Sequence, residues 1–552
     1  MDKKKENVFH VISRWFVRWF MGRKYEEKMR DKAAEEEKKD SNVPDDSELI
    51  VSPAKQVLTR FLDRKFAVFS VFVVLIMFLV VFIGPKFMPK YTDAYTEVTQ
   101  KNLPPTRSMM KVPKELDGNI KQIDSYGSFS VGLSNDGDVY VWGVTKLGAT
   151  SLNVKDIPEE VKEANIVLVA AGLDHVVAFA DDGTFYGWGS DRFGQYTRSQ
   201  ANLDNPNLEC VPECVLNGEI DPAHIKKLTC GYQATALLMD DGTLYVWGNK
   251  QAYNNIDYMN TQTGIVDVDF TLNTIVAIDS KQMSIVTGTR GLYDTVRTSI
   301  KGEGEKMFGF LNGRKIEKIA ATSTSVAMLL SDGTLCLTGD FPADYVDVPT
   351  LKEGEYFTDL QSGTYHFTGL TNLGNVYSFG GNHFYQAEAP SEATGADRIF
   401  AGAFQSYALS KDTIQAKWGL KGYLFGTDDV GADIFQRVIA GGRITMTVGA
   451  VAVIIEILIG VTIGCISGYF GGWVDIFLMR VAEVFGSIPL YPFMLILSSL
   501  LAQVSMSTNT RLFMIMVILG VLGWPGFASI TRAQILVARE SEYVTAAQAM
   551  GV

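Results

Sequence analysis

Apolar residues gather into four blocks, and a long stretch of alternating apolar and polar positions separates the first block from the second. Phe66–Ile83 reads FAVFSVFVVLIMFLVVFI, without a charge. At 1.5 Å per residue its eighteen residues span about 27 Å as a helix, enough for a bilayer core roughly 30 Å thick. Gly84-Pro85 follows where a signal peptide would carry a small-residue cleavage site, so the block predicts a spanning helix. Lys55, Arg60, Arg64 and Lys65 outweigh Asp63 on its N-terminal flank, which places the N-terminus in the cytoplasm. Further blocks at Ile444–Ile466, about Ile476–Ala502 and Leu512–Ile530 predict three more spans, with Arg532 and Arg539 marking a cytoplasmic landing after the last. The intervening section then lies outside. Ahead of the first block, Val8, Ile12, Trp15, Phe16 and Trp19 share one helical face. This fits an interfacial helix on the inner leaflet, with a core helix of a small soluble domain as the alternative. Arg23–Asp40 reads as a solvated mixed-charge helix or tail.

The alternating section repeats itself. VGLSNDGDVYVWG (Val131–Gly143), VAFADDGTFYGWG (Val177–Gly189) and ALLMDDGTLYVWG (Ala236–Gly248) are the clearest copies. Weaker copies follow at Ala277–Gly288, Met328–Gly339, Gly369–Gly380 and Tyr407–Gly419. Asp-Gly between alternating runs predicts hairpins closed by type I′ turns, with positive φ at both central residues. Taking Gly137, Gly183, Gly242, Gln282, Gly333, Gly374 and Thr413 as equivalent turn positions gives intervals of 46, 59, 40, 51, 41 and 39 residues. That period is about one four-stranded blade per repeat. A blade cannot bury both its faces alone, so a ring of seven is expected, an open sandwich being the alternative.

Composition narrows the function. The 552 residues are 20% charged, with a formal net charge of −12, five cysteines and five histidines. An acidic chain lacks the basic face that phosphate binding needs, so nucleic acid is not an expected partner. The cysteines are too few for a disulfide framework, and no histidines sit at metal-ligand spacing, so no metal site is expected. Cys210 and Cys214 are four residues apart, compatible with a disulfide or with two free thiols. The insertions Arg192–Ile220 and Asn249–Gln262 are candidate contact surfaces, with Phe193, Tyr196, Tyr253 and Tyr258 as possible ligand anchors or core. No P-loop occurs, so the chain is not expected to hydrolyse ATP.

The first three repeats, with Trp142, Trp188, Trp247 and later Trp418 before a glycine, resemble the regulator-of-chromosome-condensation propeller family. The flanking blocks resemble another family. FGTDDVGADIFQRVIAGGRIT (Phe425–Thr445), SGYFGGWVD (Ser467–Asp475), the Arg480/Glu483 pair followed by Ser487–Pro489, LGWPGFASITRAQIL (Leu522–Leu536) and the first span with its basic approach (Leu58–Ile83) are similar to the C-type permease of oligopeptide and dipeptide ATP-binding-cassette importers. The resemblance implies a multi-pass cell-membrane protein built of type I importer helices, plus an all-β seven-bladed propeller on the extracytoplasmic side. It divides the chain into a cytoplasmic region (1–57), first span (58–85), stalk (86–117), propeller (118–419) and permease domain (420–552).

The family motif before the second span places Gly426, Thr427, Asp428, Asp429 and Gly431. EYVTAAQAMGV (Glu542–Val552) corresponds to the loop that couples to the ATPase, with Glu542, Tyr543, Thr545, Ala546, Ala547 and Gly551 as its candidate residues and threonine where the family has glutamate. The resemblance implies as partners a B-type permease, two ATPases carrying ATP and magnesium, and an extracellular solute-binding protein, with no cofactor in this chain. Glu456, inside the second span, either lines the translocation pathway or is a protonated, hydrogen-bonded glutamate of the bundle. Arg480 and Glu483 are expected to pair across one helical turn. Pro489, Pro492 and Pro525 are expected to kink their helices. The family has six spans, so a chain ending inside the coupling loop is expected to be a fragment. The alternative is a surface-binding propeller anchored by a permease remnant.

Overall fold

The computed structural model describes residues 53–88, 93–146, 152–254, 256–282, 284–287, 296–298, 313–342 and 344–551. The interfacial helix at Val8–Phe20 and the charged run at Arg23–Asp40 lie outside the described residues. The chain divides into two compact units, Met1–Pro89 with Gly441–Val552, and Lys90–Ala440.

The second unit contains, among the described residues, seven antiparallel sheets. Their first long strands are Ile120–Tyr126, Ile166–Ala171, Ile225–Cys230, Ile265–Phe270, Ile316–Ala321, Phe357–Ser362 and Arg398–Gly402. Each sheet's next strand is buried along nearly its whole length, as in Phe129–Ser134, His175–Ala180 and Ser325–Leu330. A strand covered on both faces loses its apolar–polar alternation. Seven apolar cores each join one sheet to the next. The last of them packs Tyr407 and Leu409 of the seventh sheet against Ile120, Ile123 and Trp142 of the first. The sheets therefore close on themselves.

Among the described residues five sheets have three strands rather than the four expected, and the third and fifth gain a short edge strand, Leu208–Glu209 and Val296–Thr298. The others show no fourth strand among the described residues. In the sixth sheet its place holds a single bridge between Val346 and Gly380, just before Pro349, which has no N–H to donate.

The hairpin turns also differ from expectation. Gly137 has φ +90°, but neither Asn135 nor Asp136 has positive φ. The Gly137 N–H reaches Ser134 O at 3.2 Å, and Ser134 N–H reaches Asp138 O at 2.9 Å. This is a three-residue loop with one left-handed residue at its end, not a type I′ turn. Gln282 fills that left-handed place at φ +64° in the fourth repeat. The seventh repeat alone has the two-residue form. Ser410 pairs with Thr413 across Lys411 (φ 50°) and Asp412 (φ 67°), so its turn precedes Thr413, which opens the last strand.

The repeat tryptophans are structural. Trp188 donates its indole N–H to Val154 O and Trp247 to Gln195 O, both at 2.8 Å, and Trp418 to Gln386 O at 3.0 Å. Each bond ties a third strand to the loop that enters its own sheet. Tyr253 is fully buried, its hydroxyl accepting from Tyr232 N–H and donating to Thr271 O, so it is core and not a surface anchor. Tyr258 is exposed. Cys210 and Cys214 are free thiols.

In the other unit, Lys65–Phe87, Ile434–Phe470 (which begins in the sheet-bearing unit) and Thr508–Arg539 are long and apolar enough to cross a membrane. The block expected as a third span is a pair of helices, Gly472–Gly486 and Leu490–Gln503, bent by 70°. The break falls at Ser487–Pro489, where Pro489 precedes the second helix and supplies no N–H. Pro525, by contrast, sits within one uninterrupted helix.

Candidate functional site

The insertion's two ends are stitched together. Thr106 N–H donates to Tyr423 O at 2.9 Å, and Asn102 N–H to Asp428 O at 2.9 Å. Within the motif before the second span, Thr427 accepts from Leu103 N–H at 2.8 Å and donates to Gln100 O. Asp428 accepts from Val430 and Ala432 N–H groups and pairs with Arg437. Partial burial opposes ionisation, but those N–H donors and the guanidinium hold its carboxyl below the usual range. Gly431 has φ +78°, and a β-carbon there would run into Glu97 O. Gly426 is buried and also left-handed, whereas Asp429 is exposed. This motif knots incoming to outgoing chain.

In the helical unit, Gly460, Gly464 and Gly468 let Ile434–Phe470 approach Thr508–Arg539 closely, against Phe527, Ala528 and Ile535. Where these helices meet the next, Arg532 holds Asp475 with both Nε and Nη2 at 2.5 Å, and Ser467 donates to the same carboxylate. Three helices thus share one charge-assisted cluster. Arg532 lies within the helix Thr508–Arg539, two turns before its end. An Asp and an Arg at the edges of separate apolar blocks were the available signal, but nothing local pairs them.

Glu456 is half-buried against Gly523, whose missing side chain makes room for the carboxylate. Arg480 and Glu483 pair at 2.6 Å, both largely exposed. Beyond the break at Glu540–Ser541, Glu542–Ala549 forms its own short helix, with Tyr543 in its first turn. Glu542, Thr545 and Ala546 are exposed, Ala547 is half-buried, and Thr545 donates to Ser541 O at 3.1 Å. Gly551 is exposed at φ +83°, with nothing within 4 Å of a β-carbon there. The result is a small-residue knob at the end of a clasped helix pair.

Three family models match. Residues 52–105 match the N-terminal TM domain of oligopeptide transport permease C, and 460–552 the binding-protein-dependent transport system inner membrane component. Between them in the chain, 166–195 and 225–253 match the regulator of chromosome condensation (RCC1) repeat. Among relatives, the oligopeptide transport system permease protein OppC of Bacillus subtilis is 36% identical over 155 residues, 28% of this chain and 48% of the relative. The dipeptide permease protein DppC of Bacillus subtilis is 41% identical over 127 residues, 23% and 38% of the two chains. The peptidoglycan transport system permease protein YejE of Agrobacterium fabrum is 40% identical over 127 residues, 23% and 32%. The chain spans half or less of the length of these relatives, which are transport permease proteins.

Among solved structures, the CRINKLY WD40 ectodomain of the Arabidopsis thaliana receptor kinase ACR4 is similar with a TM-score of 0.36 and 17% identity, covering 56% of this chain and 98% of that one. Prp20p of Saccharomyces cerevisiae has a TM-score of 0.36 and 17% identity, covering 51% and 80%. The helices resemble oligopeptide-permease subunits of the C type, and the sheets inserted between the first and second of them carry RCC1-like repeats.

Proposed function

We propose that this chain is the C-type permease subunit of an ATP-binding-cassette importer for peptides, sitting in the cell membrane with its N-terminus cytoplasmic and its propeller outside. It pairs with a B-type permease to form the pathway, and two separate ATPases bind and hydrolyse ATP with magnesium. An extracellular solute-binding protein delivers the substrate, and the propeller serves as an extracytoplasmic binding or docking module.

The observation that carries this reading is the exposed Glu542–Ala549 helix, set off by the break at Ser541 from a long helix clasped to its neighbours. Small side chains let it seat in a groove on an ATPase, and a clasped helix moves as a body when the knob is pushed. Glu456 belongs to the pathway in this reading, and Arg480 with Glu483 stays structural.

The test is peptide uptake in cells producing the complete transporter with Ala546→Trp or Gly551→Trp in this subunit. Both positions are exposed, so the tryptophans obstruct docking. Uptake should fall to background while the protein still reaches the membrane. Unchanged uptake would refute coupling and leave the helices as an anchor for the propeller.

A further inference from the structure

Strands from all seven sheets line a cavity of about 410 Å³, a size suited to small ligands. Its lining carries four carboxylates, Asp124, Asp267, Asp269 and Glu317, against three ammonium groups, Lys226, Lys227 and Lys318. Lys227 pairs with Asp267 at 3.2 Å and Lys318 with Asp359 at 2.5 Å. Asp124 and Asp269 also face the cavity, and among the described residues neither has a cationic nitrogen at ion-pair distance.

Part of what these carboxylates do is structural. Asp124 accepts from Ala171 N–H at 2.9 Å and Asp269 from Ala321 N–H at 2.8 Å, each tying its sheet to the next. An amide performs the same task one step away, where Gln122 both accepts from Val169 N–H and donates to Val169 O. A negative charge at 124 therefore exceeds what the tie requires. Among the described residues no three acidic, histidine or cysteine side chains converge closely enough to hold a metal ion. The unmatched charge is spread over a roomy chamber that also presents the hydroxyls of Thr229 and Ser362, which donate to Asp269 at 3.4 and 3.5 Å and keep their lone pairs for a ligand.

We propose that this cavity binds the primary ammonium group of a small organic molecule, with Asp124 as its counter-charge and Asp269, Thr229 and Ser362 as hydrogen-bond acceptors. The ammonium belongs either to a free amine or to the amino terminus of a short peptide. The site does not rest on the transport reading. Burial pushes the Asp124 carboxyl up to about 6; its two main-chain N–H donors and Lys227 oppose that, and Asp269 adds to it. Lys226, Asp267, Glu317 and Lys318 are the other charged groups lining the cavity. Binding therefore weakens as acid neutralises the carboxylate.

The test is isothermal titration calorimetry on the full chain in detergent with putrescine, trialanine and N-acetyl-trialanine. Saturable binding of putrescine, of trialanine or of both is expected, with none for the acetylated peptide; which of the two binds identifies the source. Asp124→Asn, which keeps an acceptor for Ala171, should weaken binding by at least about tenfold. Wild-type binding should weaken on going from neutral to about pH 5. The proposal is overturned if neither amine binds, if acetylation makes no difference, or if Asp124→Asn binds as tightly as wild type. Should that variant fail to fold, an affinity independent of pH overturns it equally.

Discussion

Arg532 grips Asp475 with two nitrogens across 57 positions of sequence, and Ser467 completes the cluster from a third helix. The Asp475 side chain is 14% exposed and that of Arg532 34%. Two charges on separate helices at the edge of an apolar bundle are stabilised only together, because either one left alone is an uncompensated charge.

Asp475→Asn or Arg532→Gln should each destabilise the helical unit by about 2 kcal/mol, less than the roughly 3–5 kcal/mol of a fully buried pair because Arg532 remains partly wet. The double variant Asp475→Asn with Arg532→Gln should lose less than the sum of the two single losses. Thermal melting of the detergent-solubilised chain, analysed as a double-mutant cycle, checks both; additive losses would show that the two side chains act independently.

Trp188→Phe and Trp247→Phe preserve most of the apolar bulk but leave Val154 O and Gln195 O without their indole donors. Each should cost about 1–3 kcal/mol, the penalty of an unsatisfied buried polar group. A shift of the propeller's denaturant midpoint with unchanged slope is the expected reading.

Gly431→Ala places a β-carbon against Glu97 O at a left-handed φ, so the knot between the insertion's ends must open or strain. A loss of roughly 1–3 kcal/mol from backbone strain alone is expected, together with faster proteolysis between residues 93 and 106. Gly526→Ala, whose β-carbon meets nothing within 4 Å, should leave both measurements unchanged.

His366 is fully buried, and burial pushes its imidazole down to about 3. Between that value and the ordinary 6.5 the unfolded chain takes up a proton and the folded chain does not, so this residue removes stability as pH falls through that window. The slope is about 1.4 kcal/mol per pH unit. Asp124 acts oppositely: raised from 3.8 to about 6, it is protonated first in the folded state and adds stability on acidification between those values. His366→Gln should therefore flatten the decline of melting temperature below about pH 6.5, and Asp124→Asn should steepen it.

Much of the architecture was readable from local pattern. Uncharged apolar runs marked the long apolar helices, and the recurring hairpin turns marked the seven sheets, because each signal is local in the chain. The Arg480–Glu483 pair and the separate Glu542–Ala549 helix were legible for the same reason. Pro489 signalled a break, but the 70° bend depends on packing beyond it. Tyr253 could be read as surface anchor or core, and its hydroxyl bonds to the main chain of Tyr232 and Thr271, just past two neighbouring strands, decide for core. The type of turn at Gly137 followed from strand register, not from the Asp-Gly dipeptide. Arg532 on Asp475, and Asp124 left without a cation, are matters of which distant segments face each other. Short-range periodicity settles which elements form; only folding decides which charges meet, because an ion pair needs proximity in space and is indifferent to separation along the chain.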